Sequence, residues 1–361
     1  MRVLLLSAYD AASHRCWREA LLTLFPNWQW QTLVLPARYF NWRLRSNALT
    51  WSFAQAEILN REYDLLLATS MVDLATLRGL CPQLARIPTA LYFHENQFAY
   101  PSAGQQKGLL ELQITSIYSA LAADKLLFNS AYNRDTFFSG VEALLKKMPD
   151  AVPAGVVKCL QDKAQVLPVP VLIEPPKPKA RGRQAPHLLW NHRWEYDKGP
   201  ERLLAALERL KARGVDFRLS IVGQQFRRQP AAFAAIKKLL ADTSDALLHF
   251  GFVKSRSDYL NLLAQADIVL STALHDFQGL SVLEAAIYGC YPLVPDRLAY
   301  VEYLPQACRY HSDLENADAE ADALCQAICA WQAPAQRTSV ADFSPFAETQ
   351  MRERYMQALT V

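Results

Sequence analysis

The sequence predicts an α/β protein made of two Rossmann-like, doubly wound units in tandem. Three observations point there. Short apolar runs of strand length alternate with segments of helical periodicity, the alternation stops once at a basic, proline-rich stretch, and it then resumes. A length of 361 residues suits two domains, and 51% hydrophobic against 20% charged residues supplies two cores. That balance excludes a disordered, collagenous or coiled-coil chain.

The elements follow in order. Residues 3–6 (VLLL) form the first strand, a polar turn follows, and helical spacing runs over 14–24. Residues 32–35, 65–68 and 89–93 read as strands, the last preceded by Pro88. Residues 109–123 read as a helix and 125–128 as a strand entering a turn at Asn129 and Ser130. Residues 174–186 (EPPKPKARGRQAP) hold four prolines, four basic residues and no large apolar side chain, the composition of a linker. Beyond it, residues 187–191 form a strand, and 199–213 carry Leu203, Leu204, Leu207 and Leu210 as a helical stripe. Strands are expected at 217–222, 247–250, 268–271 and 291–294, with helices at 231–240, 257–266, 281–288 and 345–359. The domains are therefore expected at 1–173 and 187–344, with the stretch 345–361 returning to pack on the first. Ligands are expected in a central cleft between the two, at the carboxyl ends of the strands.

No apolar run approaches the roughly 18–20 residues that span a bilayer, and the apolar run at the start is too short for a signal-peptide core of about 7–15 residues. A cytoplasmic protein that does not engage a membrane is the expectation. Seven cysteines, an odd number with only Cys325 and Cys329 close together, are expected to be reduced core thiols. Net charge is +3 over residues 1–173, +7 over 174–270 and −7 over 271–361. Such a division suits an anionic ligand in the middle of the chain, and equally suits solvated helix faces.

Three segments carry chemistry. In 271–295 (STALHDFQGLSVLEAAIYGCYPLVP) a strand ends, a loop follows, and a helix begins near Leu280 or Ser281. Gly279 permits close approach of a ligand, and the N–H groups of Gly279, Leu280 and Ser281 would form an anion site at the helix start. Asp276 and Glu284 flank that start at a spacing fit for hydroxyls on either side of a bound diphosphate, and they fit helix capping as well. In 191–199 (NHRWEYDKG) Arg193 and Lys198 lie in a strand-to-helix loop and could neutralise a diphosphate, or pair with Glu195 and Asp197. Trp190 and Trp194 are expected in the core. In 91–101 (LYFHENQFAYP) the polar run His94, Glu95, Asn96, Gln97 follows directly on a buried strand, which favours a binding loop over a surface turn.

The tandem plan, NHRWEYDKG and DFQGLSVLEAAIYGCYPLVP resemble the family-4 retaining glycosyltransferases of GT-B fold. SAYDAASH, LPARYFNWRLRSNAL, LYFHENQFAYP and FNSAYNRDTF are similar to the group within it that includes the tRNA-queuosine α-mannosyltransferases. The resemblance covers most of the chain. It implies a hexosyltransferase with a nucleotide-sugar donor such as GDP-mannose. Arg193 and Lys198 would hold the diphosphate, Glu284 the ribose hydroxyls, and Asp276 with the N–H groups of Gly279 to Ser281 the sugar and phosphate. Gly251, Phe252 and Val253 would border the base, His94 would lie near the reacting sugar, and Ser13 and His14 near the phosphates. The sequence departs from the family at Asp276, where Glu is usual, and at Ala11 and Ala12, where the group carries Gly-Gly. No Asp-x-Asp motif is present, so no metal and no cofactor beyond the donor is expected.

For the acceptor, Arg38, Arg43 and Arg45 with Tyr39, Phe40, Trp42 and Trp51 make a basic, aromatic cluster. It suits a single-stranded RNA loop, and equally suits an amphipathic segment with its aromatics turned inward. The resemblance implies queuosine in a tRNA anticodon loop as acceptor, with Glu95, Asn96 and Gln97 beside it. A glycan, lipid-linked or small-molecule acceptor is the alternative, and a nucleotide- or RNA-binding protein with a decayed site is the second.

Overall fold

The computed structural model of the chain describes residues 1–99, 108–172, 185–241, 246–332 and 342–360. The inner strands of its sheets are short, apolar and buried on both faces, as parallel strands covered by helices must be. In the first unit β1 (Arg2–Ser7) exposes only Arg2. It pairs in parallel with β2 (Gln29–Val34) on one side and β3 (Leu65–Thr69) on the other. β4 (Thr89–Phe93), β5 (Lys125–Phe128) and β6 (Ala164–Val166) extend the sheet to the order β2-β1-β3-β4-β5-β6. The second unit repeats the plan with β7 (His187–Trp190), β8 (Arg218–Val222), β9 (Leu247–Gly251), β10 (Ile268–Leu270), β11 (Tyr291–Pro295) and β12 (Arg309–Tyr310). Their order is β12-β11-β10-β7-β8-β9.

Residues 1–172 and 344–361 form one unit, and residues 173–343 the other. The helix Glu348–Leu359, after a 3-10 turn at Ser344–Phe346, belongs to the first sheet's unit. Its Tyr355 is fully buried. The Trp17 indole N–H donates to its hydroxyl at 2.9 Å, and that hydroxyl donates to the Pro168 carbonyl at 2.9 Å. Lys125 Nζ donates to the carbonyl of Ala358 at 2.9 Å. The stretch expected as a linker lies, through residue 184, outside the described residues.

Trp190 and Trp194 are core residues of the second unit, Trp194 stacking on Phe233 with centroids 4.1 Å apart. The cysteines are free thiols, but only Cys81, Cys290, Cys308 and Cys325 are in the core; Cys329 is partly exposed, and Cys16 and Cys159 are exposed on the outer faces of their helices. Among the described residues no helix is long and apolar enough to cross a membrane. The basic, aromatic cluster contains a helix, Phe40–Ala54, that turns Leu44, Ala48 and Trp51 inward and leaves Tyr39 before it and Trp42 within it exposed.

Candidate functional site

In the second sheet β7 and β10 are neighbours, yet the chain leaves β7 toward β8 on one side and β10 toward β11 on the other. That makes this point a topological switch, and open α/β sheets take ligands in the crevice outside the carboxyl ends of their strands at such a point. The loops that follow β7 and β10 are 191–199 and 271–279, so the segments singled out in the sequence meet at one point.

Backbone hydrogen bonds stitch them together. The N–H groups of Leu274 and His275 donate to the Asp197 carbonyl at 2.8 and 3.1 Å, and the Thr272 hydroxyl donates to the Lys198 carbonyl at 2.9 Å. Gly199 lies in the left-handed region at φ +63°, and a Cβ there would overlap the Thr272 carbonyl oxygen. Lys198 is thereby placed as a buried cation, its side chain only 9% exposed. Its Nζ donates to the His275 carbonyl at 2.7 Å and lies 3.3 Å from Asp197 Oδ2 and 3.4 Å from Asp276 Oδ2.

Asp276 faces two ways. Oδ1 accepts the Gly279 N–H at 2.8 Å, while Oδ2 meets Lys198 and, at 3.4 Å, the hydroxyl of Tyr300. Burial alone would push this carboxyl up, but Lys198, the neighbouring His192 and the Gly279 N–H outweigh it and hold it at about 2. Asp276 is therefore an anion at any working pH. The helix Leu280–Ile287 begins at Gly279, φ +74°, with no side chain capping it. A Cβ on Gly279 would come within 2.5 Å of Tyr300 Cε1 and 2.7 Å of the Tyr303 hydroxyl. Glu284 sits in the second turn and pairs with Arg256 at 2.6 Å. Asn191 donates to the Ser281 carbonyl at 2.8 Å, tying the end of β7 to this helix.

Arg193 is placed differently from Lys198. It is 41% exposed on its side chain and bound to Glu195 at 2.6 Å, with Asp197 at 3.9 Å. The local pairing foreseen as the alternative is thus present, and a diphosphate would have to draw the guanidinium from Glu195. Gly251, Phe252 and Val253 lie at the carboxyl end of β9, two strands from the crevice, with Phe252 57% exposed.

Sequence reasoning overlooked His192. Its ring is buried, and Nδ1 lies 3.5 Å from the Ser281 hydroxyl. Tyr300 and Asn191 were overlooked too. Only spatial adjacency exposes them, apart from the polar run Asn191-His192-Arg193 directly after a buried strand.

In the first unit, His94 follows β4 and stacks on His14 with centroids 4.1 Å apart, hemmed by Trp17 and Tyr92. Both His94 ring nitrogens are without a partner among the described residues. Ser13 is in the first turn of the helix Ala12–Leu24, whose cap, Ala11, has φ −63° and ψ 168°. That is extended backbone which alanine adopts freely, so the absence of Gly-Gly imposes no strain there.

The rest of the polar run divides. Asn96 donates to Asn133 and Thr136 at 2.9–3.0 Å and accepts from the N–H groups of Phe98 and Ala99, so its amide is fully engaged in holding the loop. Gln97 is buried with its amide against Met71 Sδ at 4.0 Å. Glu95, partly exposed, is the member of the triplet left at the surface. Arg38 and Trp42 are exposed, Arg43 is half-buried, and Arg45 lies 3.7 Å from Glu111.

Burial lowers His14, His192 and His275 to about 4 and His94 well below its ordinary value, so all four rings are neutral at neutral pH. An unfolded histidine takes up its proton near pH 6.5, so between that value and about 4 the unfolded chain binds more protons than the folded one. Stability is complete above about pH 6.5 and is lost as the pH falls, by about 1.4 kcal/mol per unit for each ring. Urea melts at about pH 7.5, 6 and 5 should show the midpoint falling steadily. An unchanged midpoint at the lowest pH would mean that the rings are solvated.

Two family models cover most of the chain. One is described as the N-terminal part of tRNA-queuosine alpha-mannosyltransferase and matches residues 2–171; the other is described as glycosyl transferases group 1 and matches residues 176–336. A tRNA-queuosine alpha-mannosyltransferase of Drosophila melanogaster is 36% identical over 320 residues, 86% of this chain and 83% of that protein. Among solved structures, an alpha,alpha-trehalose-phosphate synthase (UDP-forming) from Burkholderia xenovorans matches 99% of this chain and all of its own at a TM-score of 0.67 and 14% identity. A lipopolysaccharide outer core galactosyltransferase matches 99% of each chain at a TM-score of 0.62 and 12% identity. At such identities these two speak for the fold alone, and that fold is GT-B.

Proposed function

The chain belongs to the tRNA-queuosine alpha-mannosyltransferase family, and from that premise we propose that it moves mannose from GDP-mannose, with retention, onto queuosine in a tRNA anticodon loop. The observation that carries the reading is the buried Lys198, held between Asp276 and the loop before an uncapped helix start.

A donor of this kind is already activated, so the protein must hold the diphosphate and stabilise the charge that grows on it as the sugar leaves. Lys198 supplies a positive charge in a site largely closed to water, where electrostatics are strong. The N–H groups at the start of Leu280–Ile287 supply dipoles aimed the same way. Arg193 joins them by exchanging Glu195 for phosphate oxygens. Glu284, its other partner being Arg256, is within the same helix and takes the ribose hydroxyls. Asp276, always charged, accepts from a sugar hydroxyl with whichever lone pairs Gly279 and Lys198 leave. Positive charge from these groups makes a resident metal unnecessary.

The test is transfer of radiolabelled mannose from GDP-mannose to total tRNA from cells with and without queuosine. Label confined to queuosine-containing tRNA, at a rate that EDTA leaves within about twofold, is the expected result. Donor hydrolysis with no label on either tRNA would overturn the acceptor, and loss of the rate in EDTA would overturn the metal-free site.

A further inference from the structure

The helix Phe40–Ala54 is apolar on two opposite sides. Leu44, Ala48 and Trp51 enter the core of the first unit. Trp42, Leu49 and Phe53 are spaced seven and four residues apart, which puts them in one row along the other side. They are 60%, 54% and 80% exposed. A single apolar face is enough to seat a surface helix on its core, so the second face is surplus to folding. A row of three large side chains left in water marks an interaction surface.

The start of that helix adds to the row. Tyr39 has φ +53°, the left-handed region that side chains with a β-carbon rarely adopt. Its ring is 72% exposed, with the Arg38 guanidinium 5.9 Å above the centroid. Residues in such backbone conformations cluster at ligand sites and switch regions.

Charge selects the occupant. Residues 20–56 contain Arg38, Arg43 and Arg45 and not one Asp or Glu. A partner protein presents charges of both signs, whereas an unpaired nucleic-acid strand presents only phosphates and flat bases. We infer that this face docks the unpaired strand of an RNA loop, with bases stacking on Trp42 and Tyr39 and phosphates meeting Arg38 and Arg45. Leu49 and Phe53 prolong the contact along the helix. Arg45 is only loosely engaged by Glu111, at 3.7 Å with both side chains about half exposed or more, a pairing that a phosphate can displace. The inference rests on the reading of tRNA as acceptor and assigns to it a grip separate from the donor loops.

The experiment titrates the full chain into a fluorescein-labelled anticodon stem–loop containing queuosine, with the isolated duplex stem as the second probe, and reads anisotropy. The loop should bind more tightly than the duplex. Trp42→Ala should weaken loop binding about tenfold or more, and Trp42→Phe should recover most of it. Arg38→Gln should lower the slope of log affinity against log salt by about one. Thermal midpoints should match the wild type, because the altered side chains are exposed. Loop binding kept within about twofold by both Trp42→Ala and Phe53→Ser would overturn the surface. So would loss of a self-dimer in Trp42→Ala with loop affinity intact. A wild-type chain that hydrolyses GDP-mannose but binds no stem–loop would overturn the tRNA acceptor and this surface together, whereas loop binding that survives both substitutions overturns this surface alone.

Discussion

Replacing Lys198 with alanine should lower mannose transfer by roughly two to three orders of magnitude, the scale on which a single buried electrostatic donor contributes to a developing anion. The ammonium is surrounded by the His275 carbonyl, Asp197 and Asp276, and nothing else among the described residues places a buried cation beside that carboxylate. Its removal has a second effect. Two carboxylates buried without their cation destabilise the second unit by about 3–5 kcal/mol, and Asp276 loses the main influence that keeps it at about 2. Rates must therefore be compared on protein shown to be folded by its melting curve. Glu284→Ala provides a check free of that complication, because its Arg256 partner is half exposed and can turn to water. It too should cost transfer heavily, with the loss visible in the KM for the donor if ribose binding is its role. Near-normal turnover in both variants would remove the donor from these loops.

Gly199→Ala should be among the most damaging single-carbon changes in the second unit. The residue links the 3-10 turn Tyr196–Lys198 to the helix Pro200–Ala212, and its φ of +63° alone costs an alanine about 1 kcal/mol or more. Its new Cβ would also overlap the Thr272 carbonyl oxygen, a backbone atom that cannot swing aside as a side chain can. The only relief is to part the two loops, and that breaks the bonds from Leu274 and His275 to Asp197 and from Thr272 to Lys198. A total loss of about 3 kcal/mol or more is expected. It should be read by denaturant melts, with transfer falling further than the unfolded fraction explains. A variant as stable as wild type would show that the loops are more pliable than their hydrogen bonds suggest. Gly214→Ala is the control, since it shares a positive φ but its Cβ would meet nothing within 4 Å.

The strands were legible because a buried parallel strand is a short apolar run with sharp ends. Thr89–Phe93 and Lys125–Phe128 coincide residue for residue with the runs read from sequence, bounded by Pro88 and by Asp124 and Asn129. Phe40–Ala54 was not legible as a helix, because its inner and outer faces are both apolar and no single stripe repeats. In the site, the glycine turn and the paired loops were foreseeable from residue types beside strand ends. The contact of Lys198 with Asp276, 78 residues away, and the engagement of Asn96 with Asn133 and Thr136 depend on tertiary placement that no local pattern records. Arg193 and Lys198 look equivalent in NHRWEYDKG, yet one lies in the open against Glu195 and the other is enclosed.

The return of Glu348–Leu359 to the first unit bears on how the protein is made. Residues 1–172 leave the ribosome first, but the helix that covers Trp17, Tyr92 and Pro168 is translated roughly 175 residues later. At bacterial-to-eukaryotic elongation rates of about 5–20 residues per second, the nascent first unit waits about 10–35 s with that apolar seat bare. The second unit meanwhile is completed in one uninterrupted stretch. Synthesis order and folding order are therefore opposed: the half that is born first is the last to be finished, and during that interval its uncovered patch is open to chaperones.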